Sequence, residues 1–200
     1  ERLTNESGPV AARDVASLRS IALKDGGGDR ILSLPELLEL VADTVPLLLE
    51  VKSDKSRNGV FEATHVPLVD NASSAANLAL AFEELAIWSS YHPDHIPVII
   101  ILELKNDWMM LDPKLEDIGA DQLLELDELL YDTFGDSLYT PEMLMGTYDS
   151  PNARITAESW PLVNDLLGKF IFVLHPGDFT DTYVSLDPEF DDMAMFPAVS

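Results

Sequence analysis

Two pairs of opposite charge, Glu50-Val51-Lys52 and Glu103-Leu104-Lys105, each close an apolar run, Pro46 to Leu49 and Pro97 to Leu102. A carboxylate is a hard oxygen donor for a divalent cation, and an ammonium beside it pairs with an anion such as phosphate. On a strand, residues two apart project from one face, so each pair offers both charges to the same spot. Spacing alone also allows a local ion pair at the sheet rim. Recurrence at two strand ends favours a site for a metal and an anion, with Glu50 and Glu103 as metal ligands. His65 closes the run Val60 to His65, and an imidazole that titrates near neutrality can serve as general acid or base. His175, with Asp178 three residues on, follows the apolar run Phe170 to Leu174 and is a second histidine for the same face. His92 and His95 precede a strand, which places them on the opposite, stability-bearing end of a parallel fold. Their His-x-x-His spacing supplies two zinc ligands, too few for a site.

These residues need strands to hold them. Leu47 to Val51, Val60 to His65, Val98 to Glu103, Phe170 to Leu174 and Met193 to Phe196 read as strands, the two that end in Glu-x-Lys expected to be buried on both faces. Helical periodicity predicts helices over Leu34 to Asp43, with Ser33 as N-cap and Pro35 in the first turn, over Ser73 to Tyr91, and over Ile118 to Phe134. Thr140-Pro141-Glu142 opens a shorter one. Phe82, Leu85 and Trp88 share a helix face and read as core. Ser53 to Gly59 reads as a turn, and Asp25 to Asp29 as a flexible glycine turn without the Lys-Ser/Thr of a phosphate loop. Residues 1–30 are expected to be irregular. Strand, crossover helix, strand, repeated, predicts an α/β fold with a parallel sheet or (β/α)₈ barrel. A full barrel takes about 250 residues, so 200 predict one shortened or incomplete at its start, in a single domain spanning 1–200.

Composition sets the outer limits. The 36 acidic residues against 12 basic give a net charge of −24, which disfavours nucleic acid and general attraction to an anionic bilayer. At most peripheral membrane contact is expected, and any bound phosphate must be met by local cations. The chain has no cysteine, so disulfides and thiolate metal sites are excluded. No apolar run is long enough to span a membrane, the polar start is no signal peptide, and no nucleophile elbow is present. Asn5-Glu6-Ser7 and Asn71-Ala72-Ser73 match glycosylation sequons.

Several ordered blocks carry a resemblance. Val60 to Asn71 with His65, Ile87 to Lys105, Tyr139 to Gly146, and Trp160 to Leu174 together resemble the calcium-dependent phosphatidylinositol phospholipase C-like proteins of bacteria and fungi, over roughly residues 57–200. The resemblance implies a distorted (β/α)₈ barrel of the phospholipase C-like phosphodiesterase type. It implies Ca²⁺ as cofactor, with Mg²⁺ the alternative, and a phosphodiester lipid or head group as substrate. On it, His65 is the general acid on the leaving diacylglycerol oxygen, Glu50 and Glu103 ligate the metal, and Lys105 contacts phosphate. His175 joins the substrate-binding set. A secreted or periplasmic location is expected. Two departures stand out: the family's Gly-Ser/Thr-His-Asn signature is absent, since no His-Asn pair occurs, and Lys52 replaces the Asp of its Glu-x-Asp. The segment Val15 to Lys52 is instead similar to glycerophosphodiester phosphodiesterases, where Glu-x-Lys ligates metal and contacts phosphate, so Lys52 becomes a phosphate-binding candidate. Phosphodiester hydrolysis is common to both resemblances. The other reading is a degenerate barrel that binds calcium or a phosphorylated ligand without turnover.

Overall fold

The computed structural model describes residues 4, 6, 13–24, 26–41, 47–56, 59–63, 77–106 and 115–198. Its centre is a six-stranded sheet in the order β2-β1-β3-β5-β6, with β4 paired to the far end of β1. The strands are β1 (Leu47–Ser56), β2 (Val60–Ala63), β3 (Val98–Leu104), β4 (Leu115–Glu116), β5 (Phe170–Leu174) and β6 (Met195–Pro197). β1, β3, β5 and β6 are parallel, while β2 and β4 run antiparallel to β1. Among the described residues the sheet does not close on itself. This is the α/β architecture expected from alternating strands and helices.

The helices are α1 (Val15–Arg19), α2 (Leu34–Val41), α3 (Leu78–Tyr91), α4 (Ala120–Phe134), α5 (Pro141–Met145), α6 (Pro151–Glu158) and α7 (Asp178–Leu186). Their starts are written in the sequence. Ser33 and Glu36 cap α2 reciprocally, Ser33 N donating to the Glu36 carboxylate at 2.9 Å and Glu36 N to Ser33 Oγ at 3.4 Å. Asn77 accepts from Leu80 N at 2.9 Å and starts α3 there; the expected helical residues before it lie outside the described set. Thr140 before Pro141 and Ser150 before Pro151 cap α5 and α6 in the same way. α1, capped by Asp14, is a short helix where irregular chain was expected.

Strand alternation divides the apolar residues between two cores. Val98, Ile100, Leu102, Phe170, Phe172 and Leu174 face α3, α4 and α7 in the larger one, where Phe82, Phe134, Phe170 and Phe172 meet at ring-centroid distances of 4.6–5.7 Å. Ile171 and Phe196 lie on the opposite face, with Ile99 and Val173 partly buried beside them, and are covered by Tyr139, Leu144 and Leu166. Phe82, Leu85 and Trp88 are core, as their spacing predicts.

Three expectations need correction. β1 is not buried on both faces, for Leu48 is 61% exposed: no described element covers that face at this strand. The run Ser53 to Ser56 is strand rather than turn, because it pairs with both β2 and β4. Val60–Ala63 is an antiparallel arm rather than a parallel barrel strand. It runs back along β1 until Ala63 lies opposite Ser53.

Candidate functional site

The register of the parallel strands assembles the site. Lys52 is the partner of Glu103, and Leu102 the partner of Leu174, so one further step places His175 in the same row as Glu103. His175 N donates to Leu102 O at 2.9 Å, fixing that end of the row. Glu50 and Lys52 share a face of β1, and Glu103 and Lys105 continue the corresponding face of β3 past Ile99 and Ile101. Lys52, Glu103, Lys105 and His175 lie toward the C-terminal end of the parallel pairing of β1, β3 and β5, with Glu50 two residues earlier on β1, at the edge where β/α folds place their chemistry. Toward the other end the same face is apolar, so a charged rim stands over a hydrocarbon floor.

Within the rim the charges interlock. Lys52 Nζ donates to Glu50 Oε1 at 3.0 Å and also to Glu103 Oε2, while Lys105 Nζ lies 3.3 Å from Glu103 Oε1. The Lys52 hydrogen bond, and then Lys105, hold the Glu103 carboxyl down at about 2, so it is an anion across the physiological range. The bonds to Glu103 and then Glu50 push the Lys52 ammonium above its ordinary value. Four charges of alternating sign are thus fixed on two neighbouring strands.

Beside them opens a cavity of about 470 Å³ lined by Glu103, Lys105, Asn106, His175, Asp178 and Thr182, among others. His175 is exposed, with Nδ1 3.1 Å from Pro176 O. Asn106 is held by Ile118 N, which donates to its Oδ1 at 3.0 Å, while its amide donates to Asp117. The structure brings together Glu50, Lys52, Glu103, Lys105 and His175. His65 lies outside the described residues, two positions beyond the end of β2. Asn106 and Asp117 were not foreseen: Asn106 adjoins the second Glu-x-Lys, but Asp117 arrives through β4, which periodicity does not reveal.

His92 and His95 sit at the other end, as expected. His95 is 1% exposed, its Nε2 3.0 Å from Ser89 Oγ and its Nδ1 2.8 Å from Ile96 O. His92 Nδ1 reaches Trp88 O at 2.9 Å and its Nε2 lies 3.2 Å from Glu39.

Comparison with known families matches residues 24–200 to the model of Ca²⁺-dependent phosphoinositide phospholipase C. The chain belongs to that family. The match takes in Glu50-Val51-Lys52 as well as the later blocks, and so overlaps from residue 24 the segment that also resembles glycerophosphodiester phosphodiesterases. Among solved structures, the Ca²⁺-dependent phosphatidylinositol-specific phospholipase C of Streptomyces antibioticus is similar at 23% identity and a TM-score of 0.62, over 82% of this chain and 59% of that one. A calcium-dependent phosphoinositol-specific phospholipase C from Pseudomonas sp. is similar at 22% identity and a TM-score of 0.61, over 76% of this chain and 56% of that one. These likenesses establish the fold, and the chain spans less than two thirds of the length of either. Curated protein sequences give no match.

The donor set fits the family's metal in kind. Oxygens of Glu50 and Glu103 converge on one atom, Lys52 Nζ, so the two carboxylates already enclose a cation-sized position. Calcium takes six to eight oxygens; no group of three or more ligating side chains occurs among the described residues. Among the described residues the two glutamates supply carboxylate oxygens on one face, and both are bonded to Lys52.

Proposed function

We propose that the chain is a calcium-dependent phosphodiesterase of the phospholipase C type, cleaving the phosphodiester between a polar head group and a diacylglycerol, with a phosphoinositide as leading substrate. The observation that carries this reading is the row Lys52, Glu103 and His175, with Glu50 and Lys105 beside it, at the C-terminal rim of a sheet in a family member. Glu50 and Glu103 would hold the cation. When bound, it supplies Lewis-acid polarisation of a phosphoryl oxygen.

The chain's own residues do the rest. Lys52 and Lys105 meet the phosphate anion, which must otherwise approach a protein of net charge −24. His175, Asn106, Asp178 and Thr182 line the adjoining cavity and present donors and acceptors to a hydroxyl-rich head group. A hydroxyl of the head group attacks phosphorus and gives up its proton, forming a cyclic phosphate, while His65 as general acid protonates the diacylglycerol oxygen whose bond to phosphorus breaks. We place the protein outside the cytoplasm, secreted or periplasmic, in peripheral contact with its lipid; cell fractionation tests that location. No described helix is long and apolar enough to cross a membrane.

A second reading rests on one fact, the absence of any His-Asn pair to supply the family's other histidine. On it the rim binds calcium or a phosphorylated ligand without turnover. Parallel assays of phosphatidylinositol vesicles and glycerophosphocholine, with calcium and with chelator and with His65→Ala as blank, separate the readings. Calcium-dependent release of the inositol head group, lost in His65→Ala, supports the phospholipase. Turnover of glycerophosphocholine alone supports a glycerophosphodiesterase, and none above the blank supports the binding protein.

A further inference from the structure

The ammonium of Lys52 stands where the carboxylates of Glu50 and Glu103 converge, and it donates to both. An ammonium and a divalent cation answer the same electrostatic demand, two anions facing one small volume, and cannot fill it together. Lys52 also stands where the family resemblance expects an aspartate, so the residue that would add a negative charge to the position adds a positive one. With Lys105 3.3 Å from Glu103, the carboxylates of Glu50 and Glu103 are matched by two ammoniums.

We infer that Lys52 is a tethered competitor for the metal, occupying the cation position between Glu50 and Glu103 and setting the affinity of the site for calcium. This rests on the reading of Glu50 and Glu103 as metal ligands given above. Calcium enters only as Lys52 leaves both carboxylates. Lys52 is 26% exposed on a stem of four methylenes, so it can swing clear without disturbing the strand. Once displaced, it is a cation released beside the metal at the moment an anion is to be bound. The same side chain lowers affinity for the metal and raises it for a phosphate that arrives afterwards. Weak calcium binding that tightens in the presence of a phosphate ester is the expected behaviour.

The test is calorimetric titration of the full chain with calcium chloride at fixed ionic strength, for wild type, Lys52→Met, Lys52→Asp and Glu103→Gln. Circular dichroism confirms that each variant is folded. Lys52→Met keeps the stem and removes the charge, and should bind calcium at least tenfold more tightly. Lys52→Asp should bind more tightly still. Calcium heat that appears only in the Lys52 variants supports the proposal equally. Unchanged or weaker affinity in a folded Lys52→Met overturns it. The Glu103→Gln titration separates the two levels of the argument. If it abolishes binding while Lys52→Met changes nothing, the metal site stands and the competitor role fails. If Glu103→Gln binds as wild type does, or no variant binds, the assignment of these glutamates to the metal fails and the competitor role with it.

Discussion

Histidine occurs at both ends of the parallel sheet, and the two ends treat it in opposite ways. At the N-terminal end His95 is sealed, with each ring nitrogen matched to an oxygen and the ring packed 4.7 Å from Trp88 and 5.2 Å from Phe170. At the C-terminal end His175 is exposed, beside a cavity it shares with Lys105 and Asp178. A polar group whose bonds are spent inside the protein works for the fold, whereas one that faces a cavity remains available to a ligand. The difference is visible in loop chemistry too. Gly168, before β5, donates its N–H to His95 O at 2.7 Å in a left-handed conformation. A Cβ there would lie 2.3 Å from Pro93 O.

The comparison breaks if a substitution at one end behaves like one at the other. Glu103→Gln should have the largest effect on function, cutting phosphodiester turnover by about 10²-fold or more, in the range expected for losing a charged site group. Its melting temperature should fall only modestly, by the part of the stability that the Lys52 and Lys105 pairs with the lowered carboxylate contribute. A large drop in melting temperature with matching loss of activity would make the rim structural instead. Gly168→Ala should do the reverse and destabilise the chain by about 2–4 kcal/mol in denaturant titration, from the positive φ and the backbone clash together. Substrate KM should not move.

Asp127 sharpens the same contrast within the helix layer. It is 5% exposed on α4, and Tyr183 of α7 donates to its two oxygens at 2.6 and 2.7 Å, while Met195 N donates to Tyr183 Oη at 3.1 Å. Burial pushes the Asp127 carboxyl up to about 7, against the lowering effect of the Tyr183 bond. A carboxyl raised on folding contributes stability in full below its unfolded value near 4, and loses it as pH climbs to about 7. Asp127→Asn cannot ionise. Wild-type stability should therefore fall relative to the variant by about 2–4 kcal/mol between pH 4 and 7, and parallel pH curves would refute the assignment. The smallest effect belongs to the half-exposed pair of His92 and Glu39, 3.2 Å apart. Glu39→Gln should cost under about 0.5 kcal/mol and leave turnover alone, as surface ion pairs do.

The strands that carry the site were legible because apolar runs ending in Glu-x-Lys combine a burial pattern with a chemical one. Caps were legible for a related reason: Ser33 with Glu36, and Thr140 with Pro141, act over three residues. What stayed hidden depends on distant partners. The polar run Ser53 to Ser56 has no hydrophobic alternation, yet it is strand because Lys55 is 1% exposed, paired with Glu116 and Glu125 and set 4.3 Å above the Phe61 ring. No local rule predicts a lysine turned inward. α7 escaped notice as well, since its buried residues are Thr180 and Tyr183 rather than an aliphatic stripe.

The apolar floor beneath the rim has one more consequence. Ile99, Ile171 and Phe196 pack there under Glu103 with Tyr139 and Leu144 behind them, leaving little polarisable matter below the charges. Such a layer acts as an electrical insulator: the field of the rim cannot relax downward into the protein and spreads toward the mouth. An isoleucine that touches none of the charges can therefore tune how strongly the rim holds an ion, and a hydroxyl introduced into the floor would act on the site as a leak rather than as a contact.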